Sequence, residues 1–240
     1  MYGVSLGPGD PDLVTVKAMK VLAMADRVYY PGTIAGSGAV NSFALEILQK
    51  LGVPETKLKS MLFAMTMPRD EVEKVYDCAF ASVMRDLEKG LCVAVVCVGD
   101  TGIYSTFGHL LERMEGAPVD VETIAGVPAF IAAASSAHVP LALRSDRVLV
   151  LSKLEDVDEL DGYLDLYETV VVLKLSMVCR RLYSYLEKKK TGFVYAEYLG
   201  TSREFVSRSV NDLKSRHLPY FSLIILFNKG QSPAKPCPEK

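Results

Sequence analysis

The residues best suited to chemistry sit in three glycine-rich turns. The first, Gly7-Pro8-Gly9-Asp10-Pro11, follows a short apolar run but lacks the lysine and the spacings of a nucleoside-triphosphate loop or a dinucleotide fingerprint. Glycines at the carboxyl end of a strand let backbone approach a ligand closely; the same residues also make an ordinary tight turn and helix cap. The second turn, Val98-Gly99-Asp100-Thr101-Gly102-Ile103-Tyr104-Ser105-Thr106, directly follows a run of valine-rich apolar residues. An acidic side chain at the end of a buried strand bears a desolvation cost unless a cofactor hydroxyl, an ammonium or backbone donors offset it. Tyr104, Ser105 and Thr106 add hydroxyls around the same mouth. The third, Ile124-Ala125-Gly126-Val127-Pro128-Ala129-Phe130, leads into a helix of small residues, which admits a flat ligand or another helix at close range.

Other reactive side chains are scattered. His109, His138 and His217 have no spacing suited to a metal ion and read as structural or surface residues, His138 being the one to test as an acid or base. The five cysteines, Cys78, Cys92, Cys97, Cys179 and Cys237, are odd in number and unevenly spaced, which suits a reducing compartment better than a disulfide framework. Cys92 and Cys97 should point to opposite faces of one strand and act as core residues. Tyr29, Tyr30, Met61, Met65 and Met67 suit either a flat macrocycle site or core packing. No metal site is expected.

These turns need strands and helices to hold them. Tyr2 to Leu6 reads as a strand, with Asp10 and Pro11 as N-cap and first residue of a helical stretch running to Met24. Arg27 to Tyr30 reads as a strand stopped by Pro31-Gly32, Val40 to Leu51 as a helix ended by Gly52, and Lys57 to Met65 as a strand. Apolar residues spaced by three and four from Arg69 to Lys89 predict a long helix. Leu91 to Val98, apolar throughout, predicts a strand covered on both faces at the centre of a parallel sheet. Further strands are expected at Val119 to Ile124, Arg147 to Ser152, Thr169 to Lys174, Gly192 to Tyr198 and Ser222 to Phe227, with an alanine-rich helix from Pro128 to Ala137. The pattern is an α/β protein with a mostly parallel N-terminal sheet over residues 1–116, a mixed C-terminal sheet over residues 117–230, and a disordered proline-rich tail at residues 231–240.

Half of the 240 residues are apolar and 23% are charged, enough for a full core. A net charge of −2 and a pI near 6.0 give no global positive field, which disfavours a nucleic-acid partner. No apolar run approaches the ~20 residues of a membrane span, so a soluble, untargeted chain is expected.

Taken together and in order, the Gly-Pro-Gly-Asp turn, the Gly-Asp-x-x-x-Tyr-Ser loop and the Gly-Val segment that follows it resemble the tetrapyrrole (corrin/porphyrin) methylase family. The resemblance runs from Tyr2 to about Asn228. Tyr104-Ser105-Thr106-Phe107, Ala125 to Phe130 and Tyr30-Pro31-Gly32 look most like the branch that methylates C20 of precorrin-2 or cobalt-factor II.

The resemblance implies a two-domain homodimer in the cytoplasm that holds S-adenosylmethionine in a cleft between the domains, beside a tetrapyrrole trough. By position it implies cofactor contacts from Pro8, Gly99, Asp100, Ile103, Pro128, Ala129, Lys174, Ser222 and Leu223. Many relatives carry methionine where this chain has Lys174. Relatives commonly have proline after the Gly-Asp pair, and Thr101 in its place is expected to loosen the loop. Pro31 stands where uroporphyrinogen-type relatives carry an aspartate proposed as a base. The substrate is a polycarboxylate, so cations should ring its trough. Arg144 and Arg147 are the preferred pair, with Lys17, Arg69 and Arg203 also available, and each of these taken singly reads more readily as a solvated surface charge. Tyr104 and Ser105 would line the same mouth. The implied chemistry is methyl transfer from a sulfonium by alignment; no catalytic proton acceptor is assigned. Rival readings are methylation at another ring position, a diphthamide-precursor or ribosomal RNA acceptor, or a non-catalytic metabolite-binding module.

Overall fold

The computed structural model describes residues 1–34, 40–64, 68–177 and 179–228. The chain forms two compact units, Met1–Pro128 and the remainder from Ala129.

The N-terminal unit is built on β1 (Tyr2–Ser5), β2 (Arg27–Ile34), β3 (Val40–Asn41), β4 (Leu58–Ala64), β5 (Val93–Cys97) and β6 (Glu122–Ile124). Its sheet order is β3-β2-β5-β1-β6, with β4 also paired to β2. Every pairing is parallel except β2 with β3. Parallel neighbours need crossovers, and α1 (Val16–Met24), α2 (Phe43–Lys50), α3 (Arg69–Glu88) and α4 (Thr106–Arg113) lie in the connections. All five residues of β5 are buried, as expected of a central strand covered on both faces.

Local chemistry moved several boundaries. Asp10 caps a single turn of 3₁₀ helix at Pro11–Leu13, and Thr15 then caps α1, so the stretch predicted as one helix from Asp12 is two. Ser42 caps α2, leaving Val40–Asn41 as a short strand where a helix was expected. Most instructive is Pro31, which does not stop β2. One edge of β2 pairs with β4 from Val28 to Ile34, while the other pairs with β5 only through Tyr29 and with β3 only from Thr33. Proline, which has no N–H to donate, sits in that gap.

The predicted division at residue 116 lies instead after Pro128. The strand assigned to the second sheet is β6, which pairs in parallel with β1, Val4 facing Ile124.

The C-terminal unit contains α5 (Ala129–Ser136), β7 (Val148–Leu151), α6 (Glu159–Leu166), β8 (Thr169–Leu173), α7 (Cys179–Lys189), β9 (Gly192–Glu197), β10 (Phe205–Ser207) and β11 (Ser222–Phe227). The order is β10-β9-β11-β8-β7, antiparallel except for β7 with β8. Alternate residues face opposite cores: Val170, Val172 and Ile224 pack with Leu160 and Leu186, and Val171, Val194 and Ile225 pack with Ala133 and Ala137. The sequence reading missed α6, α7 and β10. The tail predicted to be disordered at residues 231–240 lies outside the described residues.

Candidate functional site: three turns locked at the carboxyl edge of a parallel sheet

β5, β1 and β6 are sheet neighbours, with Ser5 opposite Cys97 and Val4 opposite Ile124, so the three glycine-rich turns leave the sheet side by side. The carboxyl edge of a parallel sheet is where such folds bind ligands. The pairing of β1 with β5 continues past the strands: Leu6 N–H donates to the Cys97 carbonyl at 2.9 Å, and Gly7 and Gly99 exchange bonds of 3.1 and 2.7 Å. Both glycines have left-handed φ, 69° and 78°, a region costly to residues with a Cβ.

Asp100 ties this pair of turns to the third. Its Oδ1 accepts from Gly102 N–H at 2.8 Å, and its Oδ2 accepts from Gly126 N–H at 2.6 Å. The carboxylate desolvation foreseen from the sequence is therefore offset by backbone donors. Gly126 is held so close that an added Cβ would lie 2.4 Å from Ser5 Cβ and 2.9 Å from the Gly99 carbonyl.

Beneath the loop lies a cluster of small polar side chains. Thr101 N–H donates to Ser5 Oγ at 2.9 Å, and the Ser5 hydroxyl donates in turn to Thr101 Oγ1 at 3.4 Å. Ser105 Oγ donates to the Thr101 carbonyl at 2.6 Å and caps α4 by accepting from Gly108 N–H. Thr101 is thus pinned, contrary to the looser loop expected from the missing proline. The Cys97 thiol at the base is pushed up to about 12, first by burial and then by the charge of Asp100.

The upper side of the loop is open. An added Cβ at Gly99 would meet no heavy atom within 4 Å. Ile103 is 37% exposed and Tyr104 52%, and Tyr104 holds a left-handed φ of 46°. A recess of about 200 Å³ beside them is lined by Thr101, Gly102, Tyr104, Ser105 and, from α4, Gly108, His109 and Glu112. Approachable backbone and an apolar side chain suit a nucleoside-bearing ligand better than a bare ion. Pro8 is buried in the first turn, and Pro128 ends the N-terminal unit.

In the C-terminal unit the expected contacts Lys174, Ser222 and Leu223 come together. Lys174 N–H donates to the Ser222 carbonyl at 2.8 Å, and Leu223 lies opposite Leu173. Ala129 opens α5. Arg144 is exposed with φ 52°. Arg147 is engaged with Glu168, which accepts from its backbone N–H at 2.7 Å and from its guanidinium at 3.1 and 3.2 Å. That pairing lowers the Glu168 carboxyl to about 2, and a substrate carboxylate would have to displace it. Lys17 pairs with Glu122 at 2.5 Å, Arg69 opens α3, and Arg203 lies over the Tyr198 ring at 4.2 Å.

Tyr29 and Met61 are core residues and not an open macrocycle surface. The Tyr29 hydroxyl donates to Asp86 at 2.7 Å, and Lys59 donates to the same carboxylate oxygen at 2.6 Å. Met65 and Met67 lie outside the described residues. His109 stacks on Tyr76 and sits 3.8 Å from Glu112. His138 takes φ 52° two residues after the end of α5, and His217 is exposed. The sequence reading missed Ser5 entirely. A serine ending a buried strand beside a loop with free N–H groups is the signal that could have found it.

The fold is of the α/β class, with three glycine-rich turns gathered at the carboxyl ends of neighbouring parallel strands, the edge at which such folds bind ligands. Residues 1–212 match the Tetrapyrrole (Corrin/Porphyrin) Methylases, and the chain belongs to that family. It is 30% identical to the cobalt-precorrin-2 C(20)-methyltransferase of Salmonella typhimurium, covering 94% of this chain and 95% of that one. It is 28% identical to the precorrin-2 C(20)-methyltransferase of a Sinorhizobium species, over 94% of each. Among solved structures, a cobalt precorrin-4 methyltransferase superposes with a TM-score of 0.67 at 20% identity, covering 94% of this chain and 93% of its own. The uroporphyrin-III C-methyl transferase of Thermus thermophilus, complexed with S-adenyl homocysteine, gives 0.64 at 18% identity, covering 94% and 91%. These two likenesses concern the fold. No helix among the described residues is long and apolar enough to cross a membrane.

Proposed function

We propose that this protein transfers a methyl group from S-adenosylmethionine to C20 of precorrin-2 or cobalt-factor II in cobalamin biosynthesis. Relatives bearing that activity in their names align with it over almost the whole chain. The observation that carries the reading is the Asp100 carboxylate, which fixes the turns after β5 and β6 to each other where a cofactor would approach.

The cofactor contacts in this reading are Pro8, Gly99, Asp100, Ile103 and Pro128 of the N-terminal unit and Ala129, Lys174, Ser222 and Leu223 of the C-terminal unit. When bound, the cofactor supplies an electrophilic methyl group whose leaving group is a neutral thioether. The protein's part is alignment. Gly99 leaves backbone approachable, Asp100 holds the loop in one shape, and Ile103 offers an apolar contact. Holding two reactants in line removes much of the entropic barrier to displacement. Tyr104 and Ser105 stand at the mouth for the tetrapyrrole, and Arg144 and Arg147 supply cations for its carboxylates. The protein acts as a homodimer in the cytoplasm, without a membrane or nucleic-acid partner.

Incubation with S-adenosylmethionine and precorrin-2, cobalt-factor II or ribosomal RNA, read by mass spectrometry, tests the acceptor. A methylated tetrapyrrole is expected; methylated RNA with unchanged tetrapyrrole would overturn the assignment.

A further inference from the structure

The N-terminal sheet has an open margin at β4. Among the described residues β4 pairs with β2 alone, so along its outer edge every second residue turns its N–H and C=O away from any strand. β2 stands between β4 and β5, which places this margin away from the three turns that follow β5, β1 and β6.

A groove of about 710 Å³ runs between that edge and α3. Its strand side is the unbroken run Leu58 to Leu62. Side chains alternate in direction along a strand. Met61 packs with Tyr76 and Ala79 of α3, whereas Leu62 lies beside Gly32 and Ser42 on the other face. A cavity that touches both sets follows the backbone edge between them. Five strand residues span about 16 Å, the length of a short added strand.

The charge of the groove has one sign. Lys59, Lys74 and Arg85 line it, and no carboxylate is among the lining residues. Asp86 lies beneath, 3% exposed, and accepts from Lys59 Nζ at 2.6 Å. That bond draws the ammonium inward, so Lys59 does not guard the strand edge as outward-pointing lysines do. Lys74 and Arg85 are exposed on α3, and Arg85 Nε donates to the Ala81 carbonyl at 3.3 Å. Two acids of the same helix, Glu73 and Asp77, are held by Arg113 of α4 at 2.6 and 2.8 Å, which keeps them from offsetting these cations.

An open strand edge offers main-chain hydrogen bonds to an extended chain, and cations beside it select acidic side chains. An apolar strand would leave the cations without partners. A small anion would leave the strand edge unpaired.

We infer that the groove between β4 and α3 docks an acidic, extended segment of a partner protein, which joins the sheet as a strand beside β4 with its carboxylates toward Lys74 and Arg85. The site does not depend on the proposed methyl transfer.

The full-length protein, Lys74→Gln, Arg85→Gln and the double variant would be titrated by fluorescence anisotropy with a dye-labelled hexapeptide of alternating valine and glutamate. Controls are the same peptide methylated at every backbone nitrogen and a valine-lysine peptide. Wild type should bind the acidic peptide, and less tightly as salt rises. Each single substitution should weaken it by about threefold and the pair by about tenfold. The methylated and lysine peptides should bind at least tenfold more weakly. S-adenosylmethionine affinity, measured by calorimetry, should not change. The inference is overturned if wild type does not bind the acidic peptide, if the double variant binds it as wild type does, or if the methylated peptide binds equally well, which would mean attraction by charge alone. It is also overturned if sedimentation shows wild-type dimers that the double variant splits, because the groove would then be an interface between copies of this chain.

Discussion

The backbone N–H of Thr101 donates to the hydroxyl of Ser5 across 2.9 Å, fastening the loop after β5 to the end of β1. A proline at 101, the residue the family resemblance leads one to expect, could not make this bond. The serine hydroxyl and the threonine N–H therefore work as a pair. Ser5→Ala would strand a buried donor and should cost about 1–3 kcal/mol in urea unfolding. Thr101→Pro added to Ser5→Ala should cost less than it does alone, because the donor it removes is already without a partner. Strict additivity of the two would show that the bond is not what couples them.

The close approach of Gly126 to Ser5 and Gly99 makes a second, purely steric prediction. Gly126→Ala places a methyl 2.4 Å from Ser5 Cβ and should destabilise by about 1–3 kcal/mol as the turns part. Gly162, inside α6, has nothing within 4 Å of an added Cβ. Gly162→Ala should stabilise by up to about 1 kcal/mol. Thermal melts of the two variants moving in the same direction would contradict the local geometry.

Asp100 joins two turns through two oxygens, each taking one backbone donor. Asparagine retains one acceptor and turns an amide against the other donor. Asp100→Asn and Asp100→Ala should both weaken S-adenosylmethionine by about tenfold or more, the value of one or two charge-assisted bonds, with circular dichroism unchanged. Calorimetry showing wild-type affinity in both would mean the tether does not shape the cofactor site.

Cys97 and Cys78 make a contrast readable by peptide mapping. Cys97 is buried and its thiol is raised from 9.0 to about 12, whereas Cys78 is exposed on α3. Thiolate is the reactive form, so iodoacetamide at neutral pH should label Cys78 and spare Cys97. Because the folded value is raised, the stability tied to this thiol is fully present below 9.0 and is lost as pH rises toward about 12. Cys97→Ala should flatten that alkaline decline; an unchanged pH profile would assign the decline to other groups.

Much of this was legible in the sequence because single rules governed it. The valine run of β5 and the three-four spacing of α3 each had one dominant pattern, and both lie close to where they were expected. Pro31 was misread because whether a proline ends a strand depends on which edge lacks a partner, a fact of sheet topology. The unit boundary was misplaced for the same reason: β6 looks like any short strand until it pairs with β1. Asp100 was found because charge at the end of a buried strand is conspicuous. Ser5 was missed because a small hydroxyl in a strand is common and its partner lies 96 residues away.

The central claim is methyl transfer to C20 of a tetrapyrrole. Its most direct test is to supply S-adenosylmethionine with an isotope-labelled methyl group to the purified protein with precorrin-2 and with cobalt-factor II, and to locate the label by NMR. The account predicts a single new labelled methyl on the C20 meso carbon, formed together with S-adenosylhomocysteine. A label on another ring carbon would contradict the assigned position, and no labelled tetrapyrrole from either substrate, with the protein folded and the cofactor bound, would contradict the claim itself.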